Sequence, residues 1–187
     1  AVPASFSERP LQVIKGLLSQ SEMQSSCPLG DHNRGIIAIS YSPDGRYFLT
    51  APEYGTCRVW TQYKEDRWES SNALEGHSYW IYRISFSPDG RYFVTGSMDH
   101  TCLVWTRDDD GQWQPSSPIG GPMRIYAISH SPDGRYFVTG ALDNTCFVWT
   151  QNADGEWQSS NPLEGHTGSV RAISHSPDGR YFVTGSF

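Results

Sequence analysis

Long hydrophobic runs are missing from this sequence, and so is any pattern typical of a targeting segment. No apolar stretch in its 187 residues approaches the length of a membrane-spanning helix, about 18 consecutive apolar residues. The first ten residues, AVPASFSERP, have neither the basic region nor the apolar centre of a signal peptide. We therefore expect no membrane anchor and no targeting signal.

Positive charge is also scarce. The chain has 14 Lys and Arg against 20 Asp and Glu, a net charge of −6, and its basic residues are scattered. Proteins that bind nucleic acids or anionic membranes usually concentrate Lys and Arg on one face. The composition therefore favours a protein or small-ligand partner, with no nucleic acid and no membrane. The 37% of hydrophobic residues are enough for a globular chain with a sizeable core.

The four cysteines show no C-x-x-C pair and no obvious disulfide pairing. Three of them, Cys57, Cys102 and Cys146, recur at intervals of 45 and 44 residues. We interpret these three as small apolar core residues. Free cysteines favour a reducing compartment, so we expect a cytoplasmic location and no metal site.

One ten-residue stretch occurs four times. The letters SPDGRYFVTG at 87–96 return at 131–140 and 176–185, and as SPDGRYFLTA at 42–51. The prolines of these stretches are 45, 44 and 45 residues apart. A fixed period of 20–50 residues indicates a chain built from repeated structural units.

Each unit is predicted to contain four short strands, because apolar residues alternate and no long 3.6-residue period is present. Between the first two strands, SPDG has the residue types of a tight turn. In the second unit the predicted strands are IYRISFS (81–87), RYFVTGS (91–97), TCLVWT (101–106) and the shorter, more polar QWQPSS (112–117).

These features resemble the WD-repeat β-propeller family, in which four-stranded antiparallel units form the blades of a ring. The second unit carries the family motifs Gly76-His77, Ser87-Pro88-Asp89-Gly90, Thr95-Gly96-Ser97, Asp99 and Val104-Trp105. The resemblance implies that four of these residues form a buried hydrogen-bonded tetrad, namely His77, Thr95, Asp99 and Trp105.

Other units depart from the family pattern. Gly121 stands at the histidine position of the third unit, and Tyr54 aligns with the aspartate of the first, with Glu53 one place early. The tryptophan is followed by threonine where the family usually has aspartate. Only the second unit has a complete tetrad, so we expect the units to differ in stability.

The repeat predicts a single all-β propeller domain over 1–187. Residues 32–75, 76–119 and 120–164 are predicted to form complete blades. Residues 11–31 match the third and fourth strands of a unit, and 165–187 match the first and second. Three assemblies remain open: two chains that pair their half-blades in an eight-bladed ring, a piece of a longer propeller, and a closed four-bladed monomer.

No candidate for catalysis stands out. No histidine is paired with a plausible nucleophile, and His77 with Asp99 is better explained as a structural pair. His130 and His175 replace Phe86 before the SPDG turn. The acidic run at 108–110 lacks the ligand spacing of a calcium loop. We expect neither an enzyme nor a bound cofactor.

Tryptophans divide into recurring and non-recurring positions. Trp68, Trp113 and Trp157 recur in the fourth strand, where we expect them to cover the outer side of each blade. Trp80 does not recur, since its equivalents are Gly35, Arg124 and Ser169. A position whose residue varies while the rest of the repeat stays constant is expected to lie on the surface.

In the family, partners dock on the rim where the innermost strands begin. The resemblance places ten residues there, namely Gly35, Ile37, Trp80, Tyr82, Met98, Arg124, Tyr126, Leu142, Ser169 and Arg171. This set is rich in the residue types of interface cores. We therefore expect a non-enzymatic protein–protein interaction scaffold that binds a protein or peptide and associates with itself. The alternative is a carbohydrate-binding propeller with one aromatic per blade in repeated sites between blades.

Overall fold

The structure is a computed structural model that describes residues 12–15, 24–28, 35–52, 54–64, 67–121 and 123–187. All regular elements in these ranges are β-strands, which confirms the predicted all-β class. The described residues contain no helix that could cross a membrane.

The strands form five antiparallel sheets. The N-terminal sheet has two strands, β1 (Gln12–Lys15) and β2 (Gln24–Pro28). Blade 1 consists of β3 (Ile36–Tyr41), β4 (Tyr47–Pro52), β5 (Thr56–Lys64), β6 (Arg67–Ser70) and β7 (Leu74–Glu75). Blade 2 consists of β8 (Ile81–Phe86), β9 (Tyr92–Ser97), β10 (Thr101–Arg107), β11 (Trp113–Pro115) and β12 (Ile119–Gly120). Blade 3 consists of β13 (Ile125–His130), β14 (Tyr136–Ala141), β15 (Cys146–Gln151) and β16 (Trp157–Ser159). The C-terminal sheet consists of β17 (Val170–His175) and β18 (Phe182–Ser186).

The four main strands of each blade follow one another in space as they do in the chain. Sequence patterns missed β7 and β12, two-residue strands that pair with the third strand of their blades. They are too short for any periodicity to show. Their effect is to extend the third strand's pairing beyond the reach of the fourth strand.

The repeated SPDG segment forms the turn between the first and second strands. In blade 2, Ser87 Oγ donates to Asp89 Oδ1 at 2.7 Å, and the same carboxylate oxygen accepts from the Arg91 amide at 3.1 Å. Gly90 has φ of +70°, a left-handed conformation that glycine adopts without steric cost. The same hydrogen bonds recur in the other three copies, so the repeated letters encode one rigid turn.

Neighbouring blades share their core. The innermost strands β3, β8, β13 and β17 contact one another in that order, as in a β-propeller. One buried cluster joins Leu49 and Val59 of blade 1 to Ile81, Phe93 and Trp105 of blade 2. A single blade cannot bury both of its faces, so each depends on the next for its stability.

The fourth-strand tryptophan of blade 2 is buried against its neighbours. Trp113 is only 8% exposed and packs edge-on against Phe93, with ring centroids 4.8 Å apart. Its other neighbour is Tyr47 of blade 1, at 6.3 Å between centroids. Trp113, which we expected to cover the outer side of its blade, therefore fills the junction between two blades.

The C-terminal sheet has two strands where the blades have at least four. Three apolar side chains within or next to β18 are largely exposed: Tyr181, Val183 and Phe187. Within the described ranges β17–β18 and β1–β2 are separate sheets. In the described part of the chain, β17 and β18 therefore pair only with each other.

Candidate partner-binding rim

Each innermost strand contains a β-bulge next to its first residue. In blade 2, Ile81 pairs with Ser97 and Arg83 pairs with Gly96, which leaves Tyr82 as the extra residue. A bulge bends its strand and re-aims the side chain of the extra residue. The extra residues in the four innermost strands are Ile37, Tyr82, Tyr126 and Arg171, all of which belong to the predicted rim set.

Backbone hydrogen bonds join the predicted rim residues that precede the innermost strands, Trp80 and Arg124, to those that follow the second strands, Met98 and Leu142. In blade 2 the Met98 amide donates to the Trp80 carbonyl at 2.8 Å, and Ser97 Oγ donates to the same carbonyl at 3.0 Å. In blade 3 the Leu142 amide donates to the Arg124 carbonyl at 3.0 Å. In both blades the structure thus places the residue before the innermost strand beside the residue before Asp99 or Asp143.

Side chains from three successive units meet on this rim. The rings of Tyr82 and Tyr126 lie 5.0 Å apart at an angle of 49°. The Arg171 guanidinium lies 4.2 Å from the centre of the Tyr126 ring, a cation–π contact. Tyr82 Oη donates to Met98 Sδ at 3.5 Å, and burial raises the pKa of this phenol above its ordinary value.

Exposure separates the rim residues into two groups. Trp80, Tyr82 and Met98 are half-buried, and Leu142 and Arg171 are exposed. Tyr126 is only 8% exposed, because Tyr82 and Arg171 cover its ring. It therefore offers a partner little surface of its own and supports its two neighbours instead. The sequence could not indicate this, because the covering residues come from other units.

Sequence reasoning missed Tyr79, which precedes Trp80 and is 49% exposed. The two rings lie 6.2 Å apart and form one aromatic surface at the start of β8. The equivalent position in blade 3 holds Met123, which is 39% exposed. The sequence could have indicated this surface residue, since its position varies among the units as the Trp80 position does.

The four predicted tetrad residues of blade 2 lie in one hydrogen-bonded chain below the rim. His77 Nδ1 is 3.0 Å from Asp99 Oδ2, and His77 Nε2 is 2.7 Å from Thr95 Oγ1. Trp105 Nε1 donates to the same Thr95 oxygen at 2.8 Å. Since indole can only donate, the Thr95 hydroxyl is free to donate to His77 Nε2, and His77 Nδ1–H then donates to the carboxylate.

The charge state of this chain follows from its burial. Burial lowers the pKa of His77, although the neighbouring Asp99 carboxylate opposes the shift. Burial alone would raise the pKa of Asp99, but hydrogen bonds from Thr101 and the Ser78 amide, with the nearby imidazole, lower it below its usual range. A neutral histidine beside an ionised aspartate satisfies every donor and acceptor in the chain.

The other units keep parts of the tetrad. The Trp-to-Thr hydrogen bond is 2.8 Å in blade 1, between Trp60 and Thr50, and 2.9 Å in blade 3, between Trp149 and Thr139. Asp143 of blade 3 accepts from Thr145 in the absence of a histidine partner, because the equivalent position is Gly121. His32, at the histidine position of the first unit, lies outside the described residues.

The His, Cys, Asp and Glu side chains of the described residues do not gather into a metal site. Among the described residues there is no cluster of three His, Cys, Asp or Glu side chains that could hold a metal ion. Cys57, Cys102 and Cys146 are free and buried. Burial raises the pKa of Cys146 to about 11, and those of the other two are raised further, so all three are protonated thiols at neutral pH.

Four-stranded antiparallel blades that pack side by side through their innermost strands define a β-propeller, and the tetrad beneath the rim narrows the class. The family described as "WD domain, G-beta repeat" matches four times, at residues 23–61, 68–106, 114–150 and 157–187. These matches cover more than half of the chain, so it belongs to the WD-repeat family. Members of this family are generally non-enzymatic scaffolds for protein interactions, which supports that general role here.

Among solved structures, the chain resembles the crystal structure of Sqt1 from Saccharomyces cerevisiae. The TM-score is 0.72 with 20% sequence identity, and the match covers 82% of this chain but 43% of that one. At this identity the likeness shows the fold alone. The chain spans less than half of the length of the Sqt1 chain. A search of curated protein sequences found no match to this chain.

Proposed function

We propose that this chain binds a protein or peptide partner through the rim at the start of the innermost strands. The observation that carries the proposal is the group of accessible Trp, Tyr, Met and Arg side chains, among them Tyr79, Trp80, Tyr82, Met98 and Arg171. These residue types dominate the energetics of protein interfaces. A rigid blade that presents them loses little conformational entropy on binding.

The side chains of this surface suit a partner that presents an apolar group. Tyr79 and Trp80 form one aromatic pair, and Tyr82 and Met98 form a second pair joined by a hydrogen bond. The Trp80 backbone is held by two hydrogen bonds, so its position is set before a partner arrives. Arg171 adds a positive charge that an acidic group next to the apolar side chain would match.

The test is capture of partners from a cell lysate by immobilised chain, followed by measurement of affinity for the purified partner. Trp80→Ala should abolish capture and leave the melting temperature nearly unchanged, because Trp80 is half-buried and does not recur. Phe147→Ala is a suitable control, since Phe147 is another half-buried aromatic, on β15, that lies outside the rim set. Capture that survives Trp80→Ala would contradict the proposal.

The carbohydrate-binding alternative depends on open aromatic faces between blades. The aromatic pairs that recur there are Tyr47 with Trp113 and Tyr92 with Trp157. Trp113 is nearly buried and Arg107 lies over it, so the face of this indole is not open for a sugar ring to stack on. We therefore favour the protein partner; repeated, multivalent binding on a glycan array would reverse this preference.

We further propose that the chain associates with itself. Two features of the C-terminal sheet support self-association. One edge of its second strand, β18, has no described neighbour, and apolar side chains within or next to β18 are exposed. The N-terminal sheet of a second copy has the strand number that would complete a blade.

We also propose a cytoplasmic location. Three protonated, buried thiols support it, and cell fractionation would test it.

A further inference from the structure

A cavity of about 920 Å³ opens between blades 1 and 2 at the end of the strands opposite the rim. Its walls come from the SPDG turns of both blades and from the loop between β10 and β11. Although the chain carries an excess of acidic residues, three arginines line this one cavity: Arg46, Arg91 and Arg107. The partner-binding rim does not use any of them.

Arg107 is held in place by aromatic rings from both blades. Its guanidinium lies 5.1 Å from the centre of the Tyr47 ring and 4.8 Å from the centre of the Trp113 ring. The ion pairs among the described residues include none with Arg107. The guanidinium also hydrogen-bonds the Tyr47 hydroxyl, and its remaining N–H groups can bind an oxyanion with two parallel hydrogen bonds.

The other two arginines are available to assist. Arg46 pairs with Asp44 at 3.7 Å, and Arg91 pairs with Asp89 at 3.6 Å, with both arginine side chains more than four-fifths exposed. Such exposed ion pairs contribute at most about 1 kcal/mol to stability, so an anion in the cavity can compete for either guanidinium.

The remaining lining limits what the anion can be. Glu69 and Asp44 also face the cavity and would repel a ligand with several negative charges. Carboxylates, hydroxyls of Thr61 and Thr106 and the Gln112 amide are good partners for ligand hydroxyl groups. The lining therefore combines one strong site for a single oxyanion with many partners for hydroxyls.

We propose that this cavity binds a small hydroxylated ligand that carries one carboxylate or phosphate group, with Arg107 as the residue that holds the anion. The site belongs to this junction alone among those whose residues are described on both sides. At the position of Arg107, blade 1 has Gln62 and blade 3 has Gln151. The junction of blades 2 and 3 keeps the aromatic pair Tyr92 and Trp157 but lacks the arginine.

The experiment follows the indole N–H signals of the full chain by nitrogen-15 NMR during titration with glucuronate, glucose 6-phosphate and glucose. The Trp113 signal reports on the cavity, and the Trp157 signal at the next junction is the internal reference. We expect a saturable shift of Trp113 with glucuronate or glucose 6-phosphate, and much weaker binding of uncharged glucose. Which of the two anions binds more tightly distinguishes a carboxylate from a phosphate ligand.

Arg107→Gln should weaken this binding about tenfold, because it removes a charge-assisted pair of hydrogen bonds. The variant has the residue that blades 1 and 3 use at this position, so it should keep the native melting temperature. Arg180→Gln removes the same charge from the C-terminal sheet and should leave the affinity unchanged. The proposal is overturned if neither anion gives a saturable shift, if glucose binds equally well, or if the two variants behave alike.

Discussion

Tyr82 of blade 2 and Tyr126 of blade 3 lie with their rings 5.0 Å apart, although they belong to different repeats. Each is the extra residue of the bulge in its innermost strand, so the same local irregularity brings both side chains to the same edge. Arg171, from the equivalent bulge in the next strand, then covers Tyr126. The repeated backbone thus supplies a regular frame, and the non-repeated side chains on it form one continuous surface.

The hydroxyl of Ser97 should control how firmly Trp80 is held. Ser97 Oγ lies 3.0 Å from the Trp80 carbonyl and 3.1 Å from the Tyr79 carbonyl, and the Trp80 carbonyl also accepts from the Met98 amide. We expect Ser97→Ala to speed hydrogen exchange at the Met98 amide several-fold, because the carbonyl loses one of its two tethers. Blade 3 has Ala141 at this position, so the substitution fits the fold, and exchange at Leu142 should not change. Equal protection of Met98 in both proteins would contradict the proposed tether.

The tetrad should contribute more to stability where its histidine is present. Asp99→Ala leaves buried His77 without its carboxylate partner and should lower the free energy of unfolding by about 1–3 kcal/mol. Asp143→Ala is the matched control, since Gly121 leaves that aspartate without a histidine, and its effect should be clearly smaller. Urea denaturation of both variants measures the difference. Equal losses would show that the histidine bond has no stabilising role.

The repeat made the main features of the fold predictable from the sequence. The SPDG turns and the chain from His77 to Trp105 depend on residues within one unit, at spacings that the repeat displays directly. The burial of Tyr126 and of Trp113 depends instead on side chains of neighbouring units. The repeat shows that such residues recur, as Tyr47 and Tyr92 do, but it does not show which residue of the next unit each will contact, so these contacts could not be predicted.

The mass of the chain in solution should reveal the proposed self-association. Light scattering on the eluting peak is expected to give about 42 kDa, twice the 21.0 kDa of one chain. Val183→Lys, a change at a largely exposed residue of β18, should shift the mass toward that of one chain by placing a charge on the proposed contact face. A mass of 21 kDa for the unmodified chain would contradict self-association.

His130 should make the stability of the fold depend on pH. It stands where blade 2 has Phe86 and lies at the junction with blade 2, with Nδ1 2.9 Å from Ser85 Oγ. Its Nε2 is buried and has no hydrogen-bond partner. Burial lowers the pKa of this imidazole to about 4, with His175 adding to the shift and Asp89 opposing it. The folded protein therefore resists protonation at a position that is freely protonated once the chain unfolds.

The direction of the pH effect follows from this difference. Above the ordinary histidine pKa of 6.5 both states are neutral, and the stability is at its full value. As the pH falls from 6.5 to about 4, only the unfolded chain takes up the proton, so the free energy of unfolding should drop by about 1 kcal/mol per pH unit. His130→Phe restores the residue of blade 2 and should flatten the profile in this range. Urea denaturation between pH 4.5 and 7, in steps of about half a pH unit, checks this; identical slopes for the two proteins would mean that another group governs the acid sensitivity.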